Sequence, residues 1–385
     1  MRFPEFTDEW NEFKIGEICD VVGGGTPKTD DNSYWDGDID WYTPSELSEH
    51  KYVYESKRKI TKKGLDNCSA KLLPPKTILL SSRATIGETG IILKESTTNQ
   101  GFQSLIAKRN LNYQFLYYLI DTIKKELIIR ASGSTFLEIS KNEIKKIKVN
   151  IPLKNEQIKI AKFISLIDQK IDLLEKKLVL WDKYIFSLKC NYFDNINVEK
   201  IVKFKEIIKK GKAGGTPKSS IQSYYNGEIP FLTINDMTKQ GKFIKSTEKT
   251  ITKEGLNNSS AWIVPKNSLL YSMYASIGLV SINKIDLTTS QAIYSIILKD
   301  NVNQEYIFHY LKNYKRFIHK YIETGTQGNL NSKIIKNIKI KLPSLEEKNY
   351  YSNLFNIFDY KIQTLNTKIK QYKTFKKYLL QNMFI

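Results

Sequence analysis

Two stretches of the chain carry an apolar pattern of helical period that neither proline nor glycine interrupts. Ile160, Ile164, Ile167, Ile171, Leu174, Leu178, Trp181, Ile185, Leu188 and Tyr192 recur at alternating spacings of four and three. That is the a/d seam of a heptad repeat, sustained over about four and a half repeats. Moving 191 residues along gives Tyr351, Phe355, Phe358, Ile362, Leu365, Ile369, Tyr372, Lys376, Leu379 and Met383. Lys376 breaks the second seam, and Phe375 beside it is expected to take its place. The pattern predicts one long helix over 153–195 and a second over 344–385.

The stretches ahead of these helices, 1–152 and 196–343, read differently. Short β-branched and aromatic runs are broken by Gly, Pro and Asn. Ile78–Leu80, Gly90–Leu93 and Gln103–Ala107 read as strands. Asn112–Arg130 reads as a helix, with Phe115, Leu116, Leu119, Ile123 and Leu127 at helical spacing, and its counterpart runs from about Gln304 to Tyr321. The globular parts are therefore α+β, mostly strand.

The two halves match residue by residue. Gly24-Gly25-Thr26-Pro27-Lys28 returns as Gly214-Gly215-Thr216-Pro217-Lys218, and Tyr34–Ile39 as Tyr224–Ile229. Ile60–Leu65 returns as Ile251–Leu256, Gly133 as Gly325, Pro152 as Pro343, Asp168 as Asp359 and Phe193 as Phe384. A period near 190 residues is domain-sized, far beyond a solenoid unit of roughly 20–50 residues. The chain is a tandem duplication of an α/β domain followed by a long helix. Two helices with one apolar seam each are expected to pack together. The part between them has its ends close if it folds compactly, which requires antiparallel pairing. The expected shape is a rod of roughly 54 Å with pseudo-equivalent globular parts at its two ends.

Charge narrows the class of partner. Sixty basic against forty acidic residues leave a formal net charge of +20, which suits a polyanion, nucleic acid ahead of an anionic membrane. Only six of the basic residues are arginine, and the Lys, Ile and Asn richness is that of an AT-rich genome. Cys19, Cys68 and Cys190 have no CxxC spacing, and His50, His309 and His319 are scattered, so neither a disulfide framework nor a metal site is expected. No apolar run reaches the roughly 18 residues of a membrane span, and the first residues lack a signal-peptide pattern. A soluble, cytoplasmic protein is expected.

The repeated Gly-Gly-Thr-Pro-Lys does not fit the phosphate loop GxxxxGK[ST], because proline precedes the lysine. It reads either as a tight turn or as a loop whose backbone N–H groups, with Thr26, Lys28, Thr216 and Lys218, hold DNA phosphates. Elsewhere the frame repeats while its tips differ. Ser82-Arg83 faces Met273-Tyr274, Asn99–Gln103 faces Ser290–Tyr294, and Trp41–Glu46 faces Phe231–Asp236. One scaffold with unlike polar tips suits two readers of two sequences, so Arg83, Gln100, Gln103, Tyr274 and Gln291 are candidate base readers, arginine for guanine and glutamine for adenine. Off the seam, Ile158, Phe163, Leu166, Leu173 and Leu180 are candidates for binding partner subunits.

Catalytic constellations are missing. There is no Ser/His/Asp arrangement, no HExxH and no Asn-Pro-Pro-aromatic signature of an amino-methyltransferase. Asp38, Asp40 and Glu46 are the carboxylates nearest to a Mg²⁺ set. Two rival readings stay open: a protein-binding scaffold, or a self-contained DNA-modifying or DNA-cleaving enzyme.

In order, Gly-Gly-Thr-Pro-Lys, Tyr34–Trp41, Thr98–Phe102, Gly133-Ser134-Thr135 and Ile151–Ala161 leading into the long helix resemble the specificity subunit of type I restriction–modification systems. The resemblance covers the whole chain. It implies two target-recognition domains, each reading one half of a split, asymmetric double-stranded DNA site, and helices that set the gap and dock two methyltransferase subunits. It also implies that this chain binds no cofactor, with S-adenosylmethionine on the methyltransferase and ATP and Mg on a restriction subunit. The second copy departs at Glu346–Tyr350, which stands where the first has Asn155–Lys159, and at Ser290-Gln291-Ala292.

Overall fold

Helix starts follow from side-chain caps. In a computed structural model, the Asn112 carboxamide accepts from the Gln114 and Phe115 N–H groups and opens the helix Tyr113–Thr122. Asn303 does the same for Gln304–Tyr314 through the Tyr306 N–H. The structure describes residues 1–47, 51–133, 137–321 and 330–384, with the backbone alone at 319–321. His50, Ser134, Thr135 and Gly325 lie outside the described residues, as does the His319 side chain.

The chain divides into two units. Unit 1 comprises Met1–Lys176 and Asn366–Ile385, and unit 2 comprises Lys177–Leu365. Each contains one globular part and a segment of both long helices, Lys154–Asn195 and Leu345–Met383.

Within unit 1 a five-stranded mixed sheet has the order Cys19–Gly23, Gln103–Ala107, Ile78–Leu80, Thr89–Ile92, Tyr52–Val53. A three-stranded sheet sets Trp35–Tyr42 between Arg58–Ile60 and Ser96–Thr98, and Asn11–Lys14 pairs with Lys148–Ile151. Unit 2 repeats all three sheets in the same order. Its five strands are Ile208–Ala213, Ile293–Leu298, Leu269–Ser272, Val280–Asn283 and Phe243–Ile244.

The long helices pack antiparallel within each unit. In unit 1, Asp168 meets Lys376 at 2.7 Å and Glu175 meets Lys373 at 2.9 Å. In unit 2, Lys361 lies 4.1 Å from the Trp181 ring centre, and Tyr192 stacks on Tyr351 at 3.7 Å. Residue numbers rise on one helix as they fall on the other. The heptad seam is buried at Ile160, Ile164, Ile167, Ile171, Leu174, Ile185 and Tyr192, and at Phe355, Leu365, Ile369, Leu379 and Met383. Each globular core continues onto these helices. Phe384 stacks on Phe115 at 5.0 Å in unit 1, and Phe193 meets Tyr310 edge-on at 5.5 Å in unit 2.

Two sequence expectations need correction. The helix expected over Asn112–Arg130 breaks at Ile123 (φ −96°, ψ 9°) and resumes as Lys124–Ile129. The Thr122 hydroxyl donates to the Leu119 carbonyl at 2.7 Å, competing with the helical ladder where apolar spacing gives no sign of it. Phe375 does not replace Lys376 in the seam: Phe375 is 42% exposed, while Lys376 keeps its position by pairing with Asp168.

Candidate nucleic-acid interface

Four loops of unit 1 are pinned together by backbone hydrogen bonds. The Gly25 N–H donates to Thr98 O at 2.9 Å, Asn99 N–H to Tyr42 O at 2.9 Å, and Ser82 N–H to Gly101 O at 2.8 Å. Glycine is required where the first two loops touch. A Cβ on Gly24 would lie 2.0 Å from the Asn99 carbonyl oxygen, and one on Gly25 would lie 2.3 Å from the Ala70 nitrogen. Indole donors hold the rest of the segment: Trp41 Nε1 donates to Gly25 O at 2.8 Å and Trp35 Nε1 to Lys28 O at 3.0 Å.

Unit 2 builds the same cluster. Gly215 N–H donates to Thr289 O at 3.0 Å, Ser290 N–H to Leu232 O at 3.0 Å, and Met273 N–H to Ala292 O at 2.8 Å. A Cβ on Gly214 would lie 2.1 Å from the Thr289 oxygen, and one on Gly215 would lie 2.3 Å from the Ala261 nitrogen. The Tyr225 hydroxyl, donating to Pro217 O at 2.6 Å, stands in for the Trp35 indole.

The sequence-derived candidates divide over this cluster. Lys28 and Lys218 are exposed. The loop's amide groups are less available than the sequence suggests, because Gly25, Gly214 and Gly215 spend their N–H groups inside the fold. The Thr26 hydroxyl donates to the Gln100 carboxamide oxygen, and Thr216 to that of Gln291. Residues expected at phosphates and residues expected at bases are thus brought into direct contact, once in each unit.

Arg83 pairs with Glu138 at 2.9 Å and stays partly exposed, whereas its counterpart Tyr274 is exposed. Both tips hang from one frame. The Ser81 hydroxyl accepts from Glu88 N–H at 3.0 Å, and the Ser272 hydroxyl accepts from Leu279 N–H at 2.8 Å. The left-handed residue differs, Ala84 (φ 54°) in one and Ser276 (φ 55°), the counterpart of Thr85, in the other. Gln103 is not at a tip. It lies in a strand opposite Gly23, half-buried, with its carboxamide oxygen out of solvent and unpaired among the described residues. Its counterpart Tyr294 is buried over Gly211.

The three carboxylates considered for Mg²⁺ do not converge on one ion. Asp40 is buried, ion-paired with Lys94 at 2.8 Å and accepting from the Ser56 hydroxyl at 3.0 Å. Glu46 accepts from the Thr43 and Lys57 N–H groups at 2.7 and 2.6 Å, and Asp38 is exposed. Among the described residues no group of three or more His, Cys, Asp or Glu could hold a metal, and no helix is long and apolar enough to cross a membrane.

On the first long helix, Ile158, Leu166, Leu173 and Leu180 are exposed, the last three seven residues apart on one line. Phe163 is not available with them. The N-terminal segment folds over it: Phe3 meets Phe163 edge-on at 5.8 Å, and Arg2 pairs with Glu156 at 2.7 Å. On the second helix Ile357, the counterpart of Leu166, is exposed, but Thr364 and Gln371 take the places of Leu173 and Leu180.

A duplicated polar cluster was not singled out from the sequence. In unit 1, Lys51 Nζ donates to the Tyr118 hydroxyl at 3.1 Å, and that hydroxyl donates to Asp168 Oδ2 at 2.6 Å. Ser165 and Lys376 complete the set. In unit 2 the residues 191 positions on are Lys242, His309, Asp359 and Asn356. Asp359 pairs with Lys189 at 3.2 Å, and His309 Nε2 meets Asn356 Oδ1 at 2.8 Å. Burial pushes Lys51 and Lys189 each down to about 8. Burial and then Lys189 push His309 down to about 3. Burial raises Asp359, but Lys312, Lys189 and His309 together hold it below the ordinary carboxylate value. The available signal was the matched pairs Lys51/Lys242 and Asp168/Asp359, which are identical polar residues at the duplication's own offset.

The comparisons agree with this architecture. A family model described as the type I restriction modification DNA specificity domain matches residues 7–179 and again 196–373. The specificity subunit of the type I restriction enzyme MjaIX of Methanocaldococcus jannaschii is 33% identical over 263 residues, 62% of this chain and 60% of that one. The HindI specificity subunit of Haemophilus influenzae is 33% identical over 138 residues, 34% of this chain and 29% of that one. The chain thus spans less than two thirds of the length of these relatives. The EcoprrI specificity subunit of Escherichia coli is 22% identical over 392 residues, 97% of this chain and 92% of that one. The crystal structure of the type-I restriction-modification system S subunit from M. genitalium matches 100% of this chain and 99% of its own, with a TM-score of 0.60 and 16% identity. A structure described for complex assembly and conformational transition of the type I R-M system matches 99% and 98%, with a TM-score of 0.65 and 14% identity. At such identities these likenesses speak to the fold. On the family's domain, matched twice over most of its length, the chain belongs to the type I restriction–modification DNA specificity family.

Proposed function

We propose that each unit reads one half of a split, asymmetric double-stranded DNA site, and that the chain performs no chemical step itself. The observation that carries this is the duplicated loop cluster, the same frame and glycine contacts in both units with Arg83 in one where Tyr274 stands in the other. Lys28 and Lys218 supply attraction that is blind to sequence and weakens with salt. The unlike tips supply choice among base edges, Arg83 by its guanidinium fork and Tyr274 by its ring and hydroxyl. Gln103 serves at most as a flanking contact, since its carboxamide oxygen is buried.

Ile158, Leu166, Leu173 and Leu180 dock a methyltransferase subunit, and the region around Ile357 docks a second. Those partners bring S-adenosylmethionine chemistry on DNA, and restriction subunits bring ATP and Mg. A protein of this kind works in the cytoplasm, where its DNA is.

Co-purification with candidate methyltransferase subunits, followed by DNA binding across a salt series, tests the reading. The expected result is a stable complex whose log affinity falls linearly with log salt, and which separates one duplex from random duplexes. Recovery of this chain alone, or equal affinity for all duplexes, counts against it. Methylation or cleavage of DNA by the isolated chain would favour the self-contained enzyme instead.

A further inference from the structure

Both loop clusters repeat one polar contact with the same residues and the same polarity: a threonine hydroxyl donating to a glutamine carboxamide oxygen. We propose that Thr26–Gln100 and Thr216–Gln291 form a duplicated clamp on the sugar–phosphate backbone, gripping both half-sites alike. Base choice then falls to the unlike tips at Arg83 and Tyr274. This rests on the DNA-reading role above and moves Gln100 and Gln291 from base edges to phosphates.

Three observations support the assignment. The glycines beneath Thr26 and Thr216 press on equivalent atoms in the two units: a Cβ on the first would lie 2.0 and 2.4 Å from the Asn99 and Ser290 oxygens and 2.4 and 2.1 Å from those of Thr98 and Thr289, and on the second 2.3 Å from the Ala70 and Ala261 nitrogens. A contact kept constant on a constant frame suits a ligand group that is the same in both half-sites. In an asymmetric site the bases differ and the phosphates do not.

The polarity of the contact points the same way. A glutamine that reads adenine turns both its oxygen and its nitrogen to the base edge. Here the oxygen already accepts from threonine, so it is less free than the nitrogen to meet a base edge. Phosphate oxygens accept and never donate, so the carboxamide N–H groups suit them. Finally, Gln100 and Gln291 are exposed, and an exposed lysine follows each threonine by two residues, Lys28 and Lys218. A neutral donor beside a cation is a common composition for a phosphate contact.

Isosteric substitution separates the two roles. Gln100→Glu removes both amide donors and adds negative charge; at a phosphate this repels, while at a base edge it turns an adenine reader into a cytosine reader. The full chain, assembled with its methyltransferase partners, would carry Gln100→Glu or Gln291→Glu. It would be assayed by methylation mapping and by affinity for target and random duplexes. The expected result is an unchanged motif with affinity for both duplexes reduced by a similar factor, about tenfold or more. Thr26→Val should produce a smaller loss of the same kind, and Thr26→Ser should restore binding. A motif altered at one position of one half-site would overturn the clamp, as would unchanged affinity in both glutamate variants. If the unsubstituted complex marks no split motif, the DNA-reading role itself fails, which the variants alone cannot produce.

Discussion

Behind one sheet topology, unit 1 closes its helix junction with Tyr118 on Asp168, and unit 2 with His309 near Asp359. At the loop cluster, unit 1 offers Arg83 where unit 2 offers Tyr274. The glycines that pin the loops are the same in both. Substitution has therefore been free at two kinds of position, a partly exposed loop tip and a buried site where another hydrogen-bonding side chain also fits. It has not been free where two backbones approach to within the space of a hydrogen atom. The contrast separates the positions that hold the loops together from those that vary upon them.

The largest effect expected from breaking this comparison lies where the units differ in depth of packing. Phe193 is buried among Tyr306, Tyr310 and Phe355, while its counterpart Phe384 is only partly buried. Phe193→Ala should cost about 4 kcal/mol and Phe384→Ala about 2 kcal/mol, measured by urea unfolding. Equal costs would contradict the burial difference. Gly24→Val and Gly214→Val should each cost about 3 kcal/mol, and similarly, because the obstructing oxygens are 2.0 and 2.1 Å away. A tolerated valine in either unit would show that the loops are not pinned as described.

Acid should distinguish the units next. His309 stays neutral in the fold down to about pH 3 against an ordinary 6.5. Below pH 6.5 the unfolded chain takes up a proton that the native state does not. Unit 2 therefore loses roughly 1.4 kcal/mol per pH unit as pH falls from 6.5 towards 3, and nothing from this group above 6.5. Asp359, held low, adds its own loss only below its ordinary 3.8. At pH 5 the difference from pH 7 should be about 2 kcal/mol, and His309→Tyr, which installs the side chain of unit 1, should flatten it. A slope that survives the substitution would place the acid sensitivity elsewhere. Arg83→Ala should change stability least, within about 0.5 kcal/mol, while relaxing base choice in one half of the methylation motif by roughly tenfold.

Much of this architecture was legible in the sequence because it is periodic. The heptad seam and the duplication are repeated signals, and each supports the other. The loop cluster was legible only in part. Gly24 and Gly25 could be found by repetition, but their reason, a carbonyl pressed against each first glycine, comes from a strand about 75 residues away. Apolar spacing carried the helix from Asn112 through Ile123, where the backbone leaves the helical region for one residue. Phe163 looked free because the N-terminal segment that covers it has no pattern of its own. The polar clusters around Asp168 and Asp359 were hidden because each assembles residues from four distant segments, and only the shared offset connects them.

Under the proposed function each unit governs its own half of one site. Replacing residues 1–152 by the corresponding part of another family member, in the assembled methyltransferase complex, followed by genome-wide methylation mapping, tests it most directly. The expected result is a new motif in one half, with the half assigned to unit 2 unchanged. A motif altered in both halves, or in neither, would contradict it.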